Sequence, residues 1–272
     1  MKYGICEWAL PISGTLAIQI CKEIGYDGIQ IGEAGGRRMG FPLNHRRVQE
    51  LYAETAQEYG IELHSLNLGA LLSEGSLNYA FSCEQGKQAR QSLKKGFEVC
   101  KKLKIGTLVI TVNSESEEQT ENVLEHLKYA SELSKDSGVE IAMESAQELS
   151  TILSILRRTD DNIKICMDLL NPLRFGTGNP QEQIKVFGKD RISHFHMKDS
   201  KKELFVPGER GCTLLGEGDA GFSKSADLIL ESAYDGWLIT ENYYYLPPMN
   251  NGEADFANLA AADLLTMKKS FG

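Results

Sequence analysis

Eight short apolar runs punctuate the chain, and stretches with helical spacing lie between them. The runs are 2 to 8 (KYGICEW), 27 to 33 (DGIQIGE), 61 to 68 (IELHSLNL), 107 to 113 (TLVITVN), 140 to 145 (EIAMES), 163 to 170 (IKICMDLL), 192 to 198 (ISHFHMK) and 237 to 243 (WLITENY). Runs this short, bounded by turn residues, read as strands. Segments such as 84 to 104 and 117 to 136 carry apolar residues three and four apart with charges opposite, as amphipathic helices do. Three helices stop alike: EIGYDGIQI, EYGIELHSL and DSGVEIAME each put a glycine before the next strand, where a left-handed cap is easiest for Gly. Dividing 272 residues over eight units gives about 34 per unit. Eight strand-helix units predict an α/β chain folded as a (β/α)8 TIM barrel, with an open doubly wound sheet as the alternative. Residues 1–272 are expected to form a single barrel domain, since about 250 residues is usual for one. Ser82 with Gln85 reads as a capping box for the third long helix, and 254 to 271 as the last helix.

Charge narrows the partners. Lys and Arg total 29 against 38 Asp and Glu, a net charge of -9, whereas a phosphate backbone is held by surplus cations. No nucleic acid partner is expected. No stretch approaches the roughly 18 consecutive apolar residues of a membrane span, and MKYGICEWALPISG lacks a signal-peptide core, so a cytoplasmic location without a membrane partner is expected. The six cysteines are scattered with no CxxC pair, which predicts reduced thiols acting mostly as small buried hydrophobes.

A barrel of this kind gathers its functional groups at the C-terminal ends of its strands. Polar residues there are Trp8, Glu33, His64 with Asn67, Asn113, Glu144, Asp168, His194 with His196, and Glu241. The last four strands stand out: IAMES carries Glu144, ICMDLLN carries Asp168, HFHMKD carries His196 and LITEN carries Glu241. Adjacent strands lie about 4.8 Å apart, so four inward side chains at one height can converge on one ion. Taken singly, each could be a solvated strand end, a helix cap or a core histidine; their coincidence in successive strands argues for a site. Three carboxylates and an imidazole suit one hard divalent cation, Mn²⁺ first, with Mg²⁺, Co²⁺ or Zn²⁺ as alternatives.

The two-residue strand period puts His194 and His196 on the inner side and Phe195 and Met197 toward the helices. His196, nearer the rim, is the expected ligand, with His194 one layer deeper. Lys198 keeps the inward phase, and Asp199 is expected to fix the following loop. Trp8, with Cys6, either walls the pocket or is an ordinary core aromatic; Glu33 and His64 extend the pocket on the opposite side, unless Glu33, which opens a Gly-rich loop, is simply solvated. Asn113 binds substrate or caps a turn. Lys198, Lys202 and Arg210 hold a phosphate or sugar hydroxyl, or else are solvated surface charges.

GYDGIQIGE at strand 2, the Glu in IAMES, the Asp in ICMDLLN, HFHMKD, the LLGEGDAGF loop and the Glu in ITEN together resemble the xylose isomerase-like TIM barrel superfamily. Within it, the sugar and sugar-phosphate isomerase/epimerase group, with its ketose 3-epimerases and inositol-catabolic enzymes, is the nearest in pattern, over nearly the whole chain. The resemblance implies a small-molecule carbohydrate substrate and a metal set of Glu144, Asp168, His196 and Glu241. It also implies that Glu144 and Glu241 exchange a proton with opposite faces of the substrate carbon. Two substrate-contacting positions depart from the epimerases: Asn171 stands where they carry His, and Lys202 where they carry Arg. The endonuclease branch carries an Asp-x-His after strand 7, and this chain reads LGEGDAGF there.

The expected chemistry is removal of a proton next to a carbonyl, with a divalent cation polarising the C=O and Glu144 or Glu241 acting as base. Return of a proton from the opposite face gives an epimer, and return to the adjacent carbon gives an aldose-ketose isomer. Expulsion of a β-leaving group makes the alternative, a lyase or dehydratase on a keto-sugar or inosose, including deglycosylation of an oxidised glycoside. A non-catalytic sugar-binding barrel and an AP-endonuclease-type nuclease are the rivals from other classes. ENYYYLPPMNNG, with its clustered Tyr and Pro, is expected to form a pocket lid or the contact of a homo-oligomer.

Overall fold

The computed structural model describes residues 1–36, 41–73 and 77–272; the end of the glycine-rich stretch GEAGGRRMG, residues 37–40, lies outside them. In chain order the elements are β1 (Lys2–Cys6), α1 (Thr15–Ile24), β2 (Gly28–Ile31), α2 (Arg46–Tyr59), β3 (Glu62–Asn67), α3 (Ala70–Ser73), α4 (Glu84–Leu103), β4 (Thr107–Thr111) and α5 (Glu117–Ser137). There follow β5 (Glu140–Glu144), α6 (Leu149–Arg157), β6 (Ile163–Asp168), α7 (Asn171–Arg174), α8 (Pro180–Arg191), β7 (Ile192–Met197), α9 (Phe222–Glu231), β8 (Trp237–Thr240) and α10 (Phe256–Phe271). The strands run in sequence order and close into a barrel, so the closed alternative is the one adopted, with helices alternating between strands. The chain also divides into two compact units: Met1–Gln30 with Thr55–Glu62 and Cys166–Gly272, and Ile31–Glu54 with Leu63–Ile165.

The glycine stops act as the sequence predicts. Gly25 and Gly138 close α1 and α5 at φ 100° and 72°, donating their N–H groups back to Cys21 and Ser134; Gly60 follows α2 at φ 64°. In this region a Cβ is costly and Gly is not penalised. The start of α4 differs from the reading above: its cap is Cys83, whose sulfur accepts from the Gly86 N–H at 3.4 Å, and not Ser82. The chain enters extended at Cys83, and a thiol can accept weakly where a hydroxyl was expected.

In the first unit, β1 pairs with β2 in parallel (Gly4 with Gly28, Cys6 with Gln30) and with β8 (Tyr3 with Leu238), and β7 pairs with β8 (His196 with Ile239). Ile5, Ile18, Ile29, Phe195, Leu238 and Tyr244 are buried there, each contributing about 1.5–3 kcal/mol over an exposed position. Phe195 meets Tyr234 edge to face at 5.0 Å, as expected for the outward side of β7. In the second unit β3, β4 and β5 pair in parallel, and Leu66, Leu93, Leu108 and Leu127 fill the interior. Gly96 brings α4 close to β4, because an added Cβ would sit 3.1 Å from Leu108. All six cysteines are free, five of them buried.

The register of β1 and β2 needs a bare backbone at Gly28, where a Cβ would fall 2.6 Å from the Trp237 ring and 2.7 Å from the Glu62 carbonyl oxygen. Gly28→Ala is expected to cost about 1–3 kcal/mol in chemical denaturation. Gly106→Ala, with nothing within 4 Å of its added Cβ, serves as the control. Equal stability of the two variants would contradict the packing described.

Candidate metal centre

The site forms where β6, β7 and β8 end. Asp168 closes β6, and its Oδ1 accepts the N–H groups of Leu170 (2.8 Å) and Asn171 (2.6 Å), which turns its Oδ2 to face the side chains of β7. The Leu169 N–H donates to the His196 carbonyl and the Glu241 N–H to the Met197 carbonyl, both at 3.1 Å, so the three strand ends are held level by backbone bonds. Asp168 Oδ2, His196 Nδ1 and Glu241 Oε2 are thereby brought together. His196 Nδ1 is 2.9 Å from Glu241 Oε2 and 3.9 Å from Asp168 Oδ2, and each of the three residues offers a ligand atom within 4.8 Å of the others.

The other side of the His196 ring is fixed by a residue that a search for strand-end acids and histidines passes over. Gln30, fully buried on β2, places Oε1 2.7 Å from His196 Nε2, and the Cys6 thiol donates to the same oxygen at 3.5 Å. A carboxamide oxygen only accepts, so Nε2 carries a proton and Nδ1 is turned to the carboxylates. The signal was available in GYDGIQIGE: the strand period that directs His196 inward on β7 does the same for Gln30 between Ile29 and Ile31.

Lys198 is not the solvated charge that a strand-end lysine suggests. It is 4% exposed, and its ammonium lies 2.7 Å from Glu241 Oε2, 3.0 Å from Asp168 Oδ2 and 3.5 Å from Asn171 Oδ1. The acids that would hold a cation supply the partners that make its burial tolerable. Burial alone would raise the Glu241 carboxyl, but Lys198 and His196 outweigh it and hold the group well below the ordinary range. Burial opposes charge on His196, yet its neighbours, the Glu241 carboxylate among them, carry its pKa well above 6.5. Burial pushes the Cys6 thiol up to about 12, which keeps it a neutral donor. Trp8 completes the wall: its Nε1 donates to Glu241 Oε1 at 2.8 Å.

The remaining candidates lie as follows. Glu144, half-buried at the end of β5 in the second unit, accepts there from Thr111 Oγ1 at 3.4 Å. His64 is buried on β3, with Nδ1 2.9 Å from Ser65 Oγ. Asn113 is exposed and accepts the Ala146 N–H at 3.2 Å, tying two loops. Glu33 is exposed beyond β2 at φ 65°. Lys202 and Arg210 are exposed in the loop after β7, with the Arg210 guanidinium 5.7 Å from the centre of the Tyr243 ring. His194 is fully buried one layer below His196, their ring centres 5.4 Å apart.

Two buried aspartates shape the surrounding loops. Asp199 accepts the N–H groups of Ser200, Gly216, Gly218 and Ala220 at 2.9–3.1 Å, which fixes the LLGEGDAGF loop as expected. Asp263 on α10 accepts from the Leu215 N–H (2.8 Å), Asn242 Nδ2 (2.7 Å) and the Tyr244 hydroxyl (2.9 Å). ENYYYLPPMNNG is thus pinned at Asn242 and Tyr244. Farther along, Pro247, Pro248 and Met249 line a cavity with Leu204 and Leu214.

The sequence matches the family described as Xylose isomerase-like TIM barrel over residues 18–262, and the chain belongs to that family. It is similar to an inosose dehydratase of Clostridium botulinum, 25% identical over 146 residues, which are 46% of this chain and 48% of that protein. The match therefore spans about half that relative's length. It is also similar to a 2-epi-5-epi-valiolone 7-phosphate 2-epimerase of Actinoplanes sp., 24% identical over 252 residues, covering 89% of this chain and 87% of that one. Among solved structures, the IOLI protein with a zinc atom has a TM-score of 0.76 at 19% identity, over 100% of this chain and 98% of its own; at that identity the likeness is one of fold. Among the described residues no helix is long and apolar enough to cross a membrane.

Burial raises the Asp263 pKa from 3.8 to about 6 despite its three donors. A raised folded pKa favours the fold while the group is protonated, so the contribution is complete below about 3.8 and is lost as pH rises through about 6. Denaturation between pH 4 and 7 should show this component falling by on the order of 3 kcal/mol. Asp263→Asn, which cannot titrate, is expected to remove that part of the slope; an unchanged slope would contradict the assignment.

Proposed function

We propose that the chain is a divalent-metal-dependent sugar or sugar-phosphate isomerase or epimerase of the ketose 3-epimerase kind, with Glu144, Asp168, His196 and Glu241 as the metal set and Mn²⁺ as the preferred ion. The observation that carries this reading is the convergence of Asp168 Oδ2, His196 Nδ1 and Glu241 Oε2 from successive strands, with a positive group already lying on the two oxygens. The residues fit a cation on chemical grounds: two carboxylates and an imidazole nitrogen turned toward them by Gln30 form a hard donor set. When bound, a divalent cation polarises a carbonyl and offsets the charge that develops on its oxygen.

The chain's own groups would handle the proton. Glu241, kept ionised by its neighbours and oriented by the Trp8 indole N–H, is suited to remove a proton from the carbon next to the carbonyl. Glu144 is the proposed second acid-base group: a proton delivered by it to the same carbon inverts that centre, and one delivered to the adjacent carbon makes an isomer. In this reading Asn171 and Lys198, beside Asp168, would hold substrate hydroxyls, and Trp8 would exclude water from one side. Elimination of a β-leaving group is the second reading, favoured by the inosose dehydratase among the relatives.

Deuterium uptake from D₂O, tested with Mn²⁺ across ketoses, ketose phosphates, inososes and 3-keto-glycosides, distinguishes these outcomes. Exchange at the carbon beside the carbonyl is expected with at least one class, and Glu241→Gln is expected to lower its rate by about 10²–10⁴. Exchange with retention of the skeleton marks an isomerase or epimerase, and loss of water or an aglycone marks a lyase. Neither exchange nor elimination with any of the panel would overturn the proposal and leave a binding barrel.

A further inference from the structure

We propose that Lys198 is a resident counter-cation: it lies on the carboxylates that the metal would claim, keeps the metal-free site folded, and must be displaced for an ion to bind. The inference rests on the metal-dependent reading above and concerns how that site is loaded. Its ammonium is 2.7 Å from Glu241 Oε2 and 3.0 Å from Asp168 Oδ2, the same two oxygens that face His196 Nδ1. Lys198, Asp168 and Glu241 are at least 94% buried, and charges at that depth are tolerated only when paired.

One location cannot hold both a divalent ion and an ammonium. At a few ångströms a +1 and a +2 charge repel by several kcal/mol, even at an effective dielectric constant of about 20. The four-carbon stem of a lysine lets its head move without disturbing the backbone, and Asn171 Oδ1, 3.5 Å from Nζ, is a neutral foothold outside the carboxylate pair. Metal affinity is therefore the difference between two cations competing for one pair of acids. After exchange the displaced ammonium stays at the rim of the site, where it can meet a substrate oxygen.

Calorimetric Mn²⁺ titration and thermal unfolding with and without Mn²⁺, on wild type, Lys198→Met, Lys198→Gln and Lys198→Arg, test this without reference to activity. Both neutral variants are expected to melt lower than wild type when metal-free, to bind Mn²⁺ about tenfold more tightly or better, and to regain the wild-type melting temperature once saturated. Lys198→Arg, which keeps the charge, should stay near wild type in both measurements. Unchanged or weaker Mn²⁺ affinity in the two neutral variants overturns the inference and leaves the metal-dependent reading standing. Failure of both to fold with Mn²⁺ present also counts against it, because the ion should replace the missing charge. No binding of Mn²⁺, Mg²⁺, Co²⁺ or Zn²⁺ by any of the four proteins overturns the reading itself.

Discussion

Asp168 and Glu241 are carboxylates almost wholly withdrawn from water, a few ångströms from one ammonium and one imidazole. Two acids at that depth would repel each other and take up protons unless positive charge were supplied nearby. Much of the surrounding structure serves that balance. Level strand ends bring the acids to one height, the turn after β6 uses one Asp168 oxygen and leaves the other for Lys198, and Gln30 settles which nitrogen of His196 faces the acids. Farther out, Asp263 steadies the residues that follow Glu241, and Asp199 steadies those that follow Lys198.

The relatives differ in the reaction their names describe, dehydration in one and epimerisation in the other. Under the proposed reading, removal of a proton beside a carbonyl is a step that either kind of outcome could follow. What then happens depends on where the second proton goes and whether a leaving group is aligned, matters decided by loop residues more than by strand ends.

The strands and helix stops were legible because their causes are local: a period of two, a period near 3.6, and a glycine where φ must be positive. The cap of α4 lies one residue beyond the hydroxyl that the sequence pattern points to, because a sulfur takes the capping role that a hydroxyl usually fills. The ligand-type residues of β6, β7 and β8 could be read from strand ends alone. Lys198 could not be placed at depth, since its partners lie 30 and 43 positions away and a lysine by itself reads as surface. Gln30 shares the inward phase of its strand, but an amide is neither acid nor imidazole and carries no sign of chemistry in the sequence. Asn113 is open to two readings in the sequence, and its side chain ties two loops together.

The bonds from Asp199 reach backbone N–H groups only, at residues 200, 216, 218 and 220. A clasp of that kind is indifferent to most side chains it holds. It demands glycine where φ is 86° at Gly216, and where a Cβ on Gly218 would collide with Asp199, but it leaves Leu214, Glu217 and Asp219 open to exchange as far as this carboxylate is concerned. The loop beyond β7 can therefore vary in sequence, changing what it offers to a ligand, while its backbone path stays the same.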